Sequence, residues 1–341
     1  IIPIIEDDYV VLPVSMGGDE NDPKAQFATG AVKITPAHDP NDYDIGQRHG
    51  LPMINVMAPD ASISDKHGWS DIGEAGFLLG KSREEARKLI VDWFKQHGLL
   101  EDVKPYRHSV GHSYRSHVPI EPYLSDQWYC KVTDDRLAGA ALRAMAPDQV
   151  DKSGAGVPPA SNRGQNATES EAGWEGLLRF YPARYAKTFQ TWHENIRDWC
   201  ISRQLWWGHR IPVWSRPGGS LSELESRYGD AIRSQRLWAI EQQGTLYVCV
   251  QSEADRDIVA ELERQGFTQD PDVLDTWFSS ALWPLSTLGW PDESAIRDPQ
   301  SAINTWNPTS VLCTAREIIT LWVSRMVMFN LYFLNRLPFR D

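Results

Sequence analysis

The segment DWCISRQLWWGHRIPVW, residues 198–214, constrains the fold more than any other stretch of the chain. It crowds four tryptophans (Trp199, Trp206, Trp207, Trp214) against two arginines (Arg203, Arg210), with Arg197 just outside. A core strand has no place for so many cations, and a solvated loop gains nothing from so many rings. One solution is a buried aromatic cluster with guanidinium groups stacked on its rim. The other is a wall of a nucleotide or nucleic-acid site, where rings stack on bases and arginines meet phosphates.

A second polar concentration lies upstream, in GAVKITPAHDPNDYDIG at 30–46. Ala31, Val32 and Ile34 predict a short strand, after which Pro36 and Pro40 force an ordered loop. That loop gathers Thr35, His38, Asp39 and Asp42, with Lys33 entering it. A helix is expected to begin over 42–46 with Asn41 as its cap. Asp39 and Asn41 could simply make Asx turns and cap that helix. They could also build a compact pocket, where a carboxylate holds an ammonium group while lysine and threonine orient a hydroxyl or a water.

The run from Trp199 to Gly208, with His209-Arg-Ile-Pro-Val-Trp214 behind it, resembles the signature of class I aminoacyl-tRNA synthetases for branched aliphatic amino acids. It is most similar to the valyl-tRNA synthetase family. GAVKITPAHDPNDYDIG resembles that family's editing-site motif, and DVLDTWFSSAL at 272–282 a third of its segments. The resemblance implies that Asp39 anchors the α-ammonium of a misattached amino acid, while Lys33, Thr35 and Asp42 shape a pocket for a threonine side chain. It puts Trp277, Ile318 and Trp322 on the walls of a valine pocket, Thr314 and Glu317 near the nucleotide, and Arg203 and Arg210 near tRNA. Many relatives carry a glycine where Ala315 stands and an aromatic residue or histidine where Arg316 stands, which bears on ribose contact.

The implied fold is α/β, a Rossmann-like doubly wound parallel core interrupted by a mostly β editing domain. Its expected divisions are the later editing domain (1–116), a return stem (117–197) holding a flexible insertion (146–173), the seam (198–214), a small connective insertion (215–272) and the second half of the core (273–341). The family's His-x-Gly-His and Lys-Met-Ser-Lys-Ser motifs do not occur in these 341 residues. The chain is therefore expected to be an internal piece, inactive by itself in valine activation. The implied reaction joins valine to tRNA(Val) with ATP and Mg2+, and hydrolyses mischarged threonyl-tRNA, in a cytoplasmic monomer. The rival classes are a non-catalytic tRNA-binding remnant and a carbohydrate binder. The latter has no need of Lys33, Asp39 and Asp42 on one loop.

Composition decides less. Fifteen tryptophans suit carbohydrate binding as well as RNA handling, and a net charge of −12 argues mildly against a phosphate-backbone binder. Cys130, Cys200, Cys249 and Cys313 lie far apart, as in a reducing cytosol. In some relatives a Cys-x-x-Cys knuckle stands where this chain has Ser113 and Ser116, and another where it has Ser215-Arg-Pro-Gly218, so no structural zinc is expected. The apolar run 318–334 is broken by Arg325 and Asn330 and reads as too short to span a bilayer. Elsewhere, 1–14 predicts short strands. Ser82-x-x-Glu85 opens a helix with Ala86, Leu89, Ile90, Trp93 and Phe94 on one face and Gly98 at its end. Another helix is expected from Ser252 to before Gly266, and 310–322 reads as strand–turn–helix.

Overall fold

The computed structural model describes residues 3–105, 107, 109–113, 116–151, 173–252 and 254–340, so the insertion expected at 146–173 lies outside the described residues over 152–172. The chain divides into two compact units, Ile1–Asp126 and Gln127–Asp341.

In the first unit, helix α1 (Pro40–His49) is capped by Asp39, not by Asn41. Asp39 is extended and accepts from the N–H groups of Asn41 and Asp42. Pro40 follows in the first turn, where its missing N–H is no loss. The start therefore falls earlier than the spacing predicted. At the other end Arg48 and His49 hold Asp7, each at 2.8 Å. The Tyr9 N–H, the hydrogen bonds from Arg48 and His49, and the charge of Arg48 keep the Asp7 carboxyl down at about 2. Helix α2 (Arg83–Gln96) has the expected reciprocal capping box between Ser82 and Glu85. Its apolar side is only partly covered, with Ala86 buried but Ile90 and Phe94 exposed.

The strands expected over 1–14 and 31–34 do not form among the described residues. Antiparallel pairing in this unit is confined to isolated bridges, Met57↔Ile63, Ser62↔Ser82 and His112↔Pro119. β-Branched residues favour a strand only where a neighbouring strand receives them, and 31–35 runs without a ladder partner.

The second unit has two cores. One gathers Val132, Leu178, Phe189, Trp199, Val327 and Phe329. Through it runs a continuous helical stretch of 19 residues, Arg316–Leu334. It passes from a 3-10 turn (Arg316–Ile318) through a π turn (Ile319–Val323) into the α-helix Ser324–Leu334. Its length and apolarity would suffice to cross a membrane, correcting the expectation from length, yet 56% of an 18-residue window of it is buried inside the protein. Arg325 and Asn330, which interrupt the apolar run, are themselves buried. The Asn330 amide pairs reciprocally with Asn307 at 2.8 and 3.1 Å.

All named strands pair antiparallel: β1 (Tyr129–Cys130) with β2 (Trp199–Cys200), and β3 (Ser202–Arg203) with β8 (Val273–Leu274). Parallel pairing appears as two isolated bridges, Met145↔Leu178 and Thr309↔Phe339. The Arg179 N–H donates to the Arg340 carbonyl at 3.0 Å, linking the two.

The other core lies under a four-stranded antiparallel sheet, in the order β5 (Leu237–Gln242), β6 (Thr245–Val250), β4 (Val213–Pro217), β7 (Thr268–Gln269). Its hairpin turns through Gln243 and Gly244, at φ 50 and 74, the left-handed pair a two-residue turn requires. Leu246, Val248 and Leu262 pack beneath it. The helix there spans Arg256–Arg264 and begins after Asp255 rather than at Ser252. The Ser252 carbonyl instead accepts from the Asp255 N–H in a preceding turn.

Candidate functional site

In the first unit the loop before α1 folds back on itself. Asp42, buried in the first turn of the helix, accepts from the Thr35 N–H at 2.7 Å and from its hydroxyl at 3.3 Å. Lys33 Nζ donates to Thr35 Oγ1 at 3.0 Å. Asp39 takes the N–H groups of Asn41 and Asp42 on a single oxygen, Oδ1, at 2.8 and 3.1 Å. His38 accepts from the Val56 N–H through Nε2, so its proton sits on Nδ1 and faces the Pro122 carbonyl at 3.2 Å. The four sequence-predicted residues Lys33, Thr35, Asp39 and Asp42 are thus brought together on one hydrogen-bonded turn. The capping role of Asp39 and its availability to a ligand coexist, because its second oxygen makes no bond within the turn.

In the second unit the seam is organised by a buried carboxylate, Asp275. Its Oδ2 accepts from Trp199 Nε1 at 3.0 Å and from Arg203 at 2.6 Å, while Oδ1 caps the helix α7 (Thr276–Ala281) through the Trp277 N–H at 3.1 Å. Arg203 also donates to the carbonyls of Cys200 and Ser202 at 2.8 and 2.7 Å, and Arg210 to those of Gln269 and Asp270 at 3.2 and 2.9 Å. Both cations brace the backbone. The four tryptophans divide: Trp199 and Trp214 are buried, whereas Trp206 and Trp207 are 97% and 83% exposed. The rim arginine of the aromatic cluster is Arg325, lying 4.1 Å over the Trp199 ring.

Helix α7 meets the π turn where Trp322 Nε1 donates to the Ser280 carbonyl at 3.0 Å. Trp277 and Trp322 both pack half-buried against the first core, and Ile318 is half-buried at the entrance to that turn. Such single π turns recur at functional sites. Behind it a cavity of about 280 Å³ opens between 178–181 and 311–314, with Thr314, Arg316 and Ile319 in its wall. Glu317, Ile318, Trp277 and Trp322 are not among its lining residues.

Three residues escaped the sequence reading. Asp275 stood inside a segment singled out for Trp277. His193 is fully enclosed; burial pushes its pKa down to about 4, opposed by the Phe189 carbonyl. Arg325 was read only as an interruption of an apolar run. A lone cation in such a run is itself a signal, because burial of an unneutralised charge needs a cause.

A family model described as tRNA synthetases class I (I, L, M and V) matches residues 164–341. The chain is 40% identical over 334 residues to the valine-tRNA ligase of Rhodopirellula baltica, covering 93% of this chain and 28% of that protein. It is likewise 40% identical to those of Prochlorococcus marinus and Anoxybacillus flavithermus, over 100% of the chain and 29% of each relative. The chain therefore spans less than a third of the length of these curated relatives.

Proposed function

The chain belongs to the class I tRNA synthetases, and from that premise we propose that it supplies valine selection and hydrolytic editing to a valine-tRNA ligase. What carries this reading is likeness to valine-tRNA ligases along 93–100% of the chain, through both units. Trp277, Ile318 and Trp322 would form the apolar wall against the valine side chain, with Thr314 and Glu317 toward ATP. A hydrophobic pocket rejects threonine by only about a hundredfold, the established figure for the valyl enzyme itself. A second pocket that requires the hydroxyl would complete the discrimination. The turn at 33–42 offers that chemistry: Asp42 and Thr35 beside the substrate hydroxyl, and the free oxygen of Asp39 for the α-ammonium.

In the same reading the second unit is the later part of a parallel α/β core. The parallel bridges at Leu178 and Phe339 support this, and the first unit would belong to the editing domain. Valine, ATP and tRNA(Val) would be partners of a monomeric, cytoplasmic enzyme without a membrane span. Tryptophans 206 and 207 would offer rings to RNA, while Arg210 would reach phosphate through the donors it keeps beyond those two carbonyls. Family chemistry implies a Mg2+ ion with ATP. Among the described residues no group of three or more His, Cys, Asp or Glu side chains could hold a metal.

Ile318 tests the valine pocket best, because it lies outside the packed core cluster. In a valine-tRNA ligase carrying this chain as its matching segment, Ile318→Ala removes about 2 kcal/mol of apolar contact, a roughly 30-fold fall in kcat/KM for valine. Deacylation of threonyl-tRNA stays unchanged. Unaltered valine kinetics would remove Ile318 from the pocket.

A further inference from the structure

Arg325 is a buried cation that, among the described residues, makes no direct ion pair; the opposite charge acting on it is Asp275, which pairs directly with Arg203. Only 9% of the residue is exposed, and its guanidinium covers the Trp199 ring. Its NH1 donates to the backbone carbonyls of Leu321 and Thr320. Burial pulls its pKa below the usual arginine range; Asp275 opposes that fall and Arg203 adds to it. The Asp275 carboxylate, however, is already engaged by Arg203, Trp199 Nε1 and the Trp277 N–H. A guanidinium this deep loses most of its hydration, and buried charges are ordinarily paired.

Beside Arg325 lies a cavity of about 370 Å³, walled by the 195–200 segment, Trp192, Arg203 and the start of the Ser324–Leu334 helix. Arg197 also reaches its wall. The acid that lines it, Asp198, is held by the Thr133 N–H and hydroxyl at 3.3 and 2.7 Å. Ser324, also in the wall, pairs its hydroxyl with His193 at 3.0 Å.

We propose that this cavity binds a phosphate-class oxyanion, with Arg325 at its base and Arg203 and Arg197 along its wall. Guanidinium forks converging from different segments suit an oxyanion that accepts on several oxygens, which a single carboxylate does less well. The volume admits a diphosphate. This site is separate from the editing turn and from the valine pocket, and the inference does not depend on either. The anion can come free, as pyrophosphate, or as the phosphodiester of a single-stranded RNA end.

The test titrates the 341-residue chain at fixed ionic strength with inorganic phosphate, with pyrophosphate and with a short single-stranded RNA, read by calorimetry and tryptophan fluorescence. Saturable one-to-one binding below roughly 1 mM is expected for at least one of them. Saturation by pyrophosphate assigns a free anion, and saturation by RNA alone assigns the phosphodiester. Arg325→Met, with its circular dichroism and Tm retained, weakens binding at least tenfold. Should Arg325→Met fail to fold, Arg197→Gln at the exposed rim serves in its place and weakens binding several-fold. Absence of saturation by all three ligands, or undiminished affinity in the folded variants, overturns the proposal. Because the assay contains neither valine nor ATP, its failure leaves the synthetase reading untouched.

Discussion

Asp39 has two roles that one pair of substitutions can separate. Asparagine caps a helix as well as aspartate does but carries no charge, whereas alanine does neither. Asp39→Asn should leave the stability of the chain within a few tenths of a kcal/mol, and Asp39→Ala should lower it by about 1 kcal/mol in urea titration. If the carboxylate anchors an α-ammonium, both variants lose roughly 30- to 1000-fold in threonyl-tRNA deacylation within a valine-tRNA ligase carrying this chain, since a charge-assisted contact contributes about 2–4 kcal/mol. Full deacylation by Asp39→Asn would leave Asp39 as a cap alone. The sequence made this residue visible but could not separate its roles, because one carboxylate serves both. Pairing of Asp42 with Thr35 was not legible at all. It depends on how Pro36 reverses the chain, a tertiary outcome without local spacing.

At the scale of elements, the packing of the helix α4 (Arg184–Glu194) on the Ser324–Leu334 helix rests on a neutral histidine. His193 donates from Nδ1 to the Phe189 carbonyl at 2.8 Å, so Nε2 is left to accept from the Ser324 hydroxyl. Its pKa of about 4 lies below the unfolded value, hence the unfolded chain binds more protons between those two pH values. Stability from this group is complete above about pH 6.5 and is lost as pH falls toward 4, by roughly 3 kcal/mol. Urea midpoints across that range should follow this slope in the wild type, and the histidine contribution should vanish in His193→Gln. A profile that the substitution leaves unchanged would refute the neutral pair. The elements themselves were unevenly legible. Helix α2 announced itself by Ser82 and Glu85, since a cap is chemistry within four residues. The strands expected from Val10, Val11 and Val32 failed because a strand is a contract between distant segments. The apolar run at 318–334 was visible, but the reason it tolerates Arg325, a ring beneath the cation and a cavity beside it, lay more than a hundred residues away at Trp199.

For the whole molecule, net charge and length pointed nowhere in particular; a net −12 coexists with a cavity whose base and wall carry arginines. What organises the molecule is the division into two units, one holding the turn at 33–42 and the other the seam, the π turn and both cavities. Amino-acid activation asks for more than a side-chain pocket. Forming an adenylate requires positioned cations and donors about the reacting phosphate, and most of the acceleration in such transfers comes from that stabilisation. Neither His-x-Gly-His nor Lys-Met-Ser-Lys-Ser is present in the 341 residues. Valine-dependent exchange of pyrophosphate into ATP by the purified chain should accordingly remain at background, in the same samples whose urea transition shows them folded. Clear exchange that falls in Ile318→Ala would reverse this argument. Phosphate handling would then reside in these residues, and the guanidinium groups around Trp199 would be the first place to look for it.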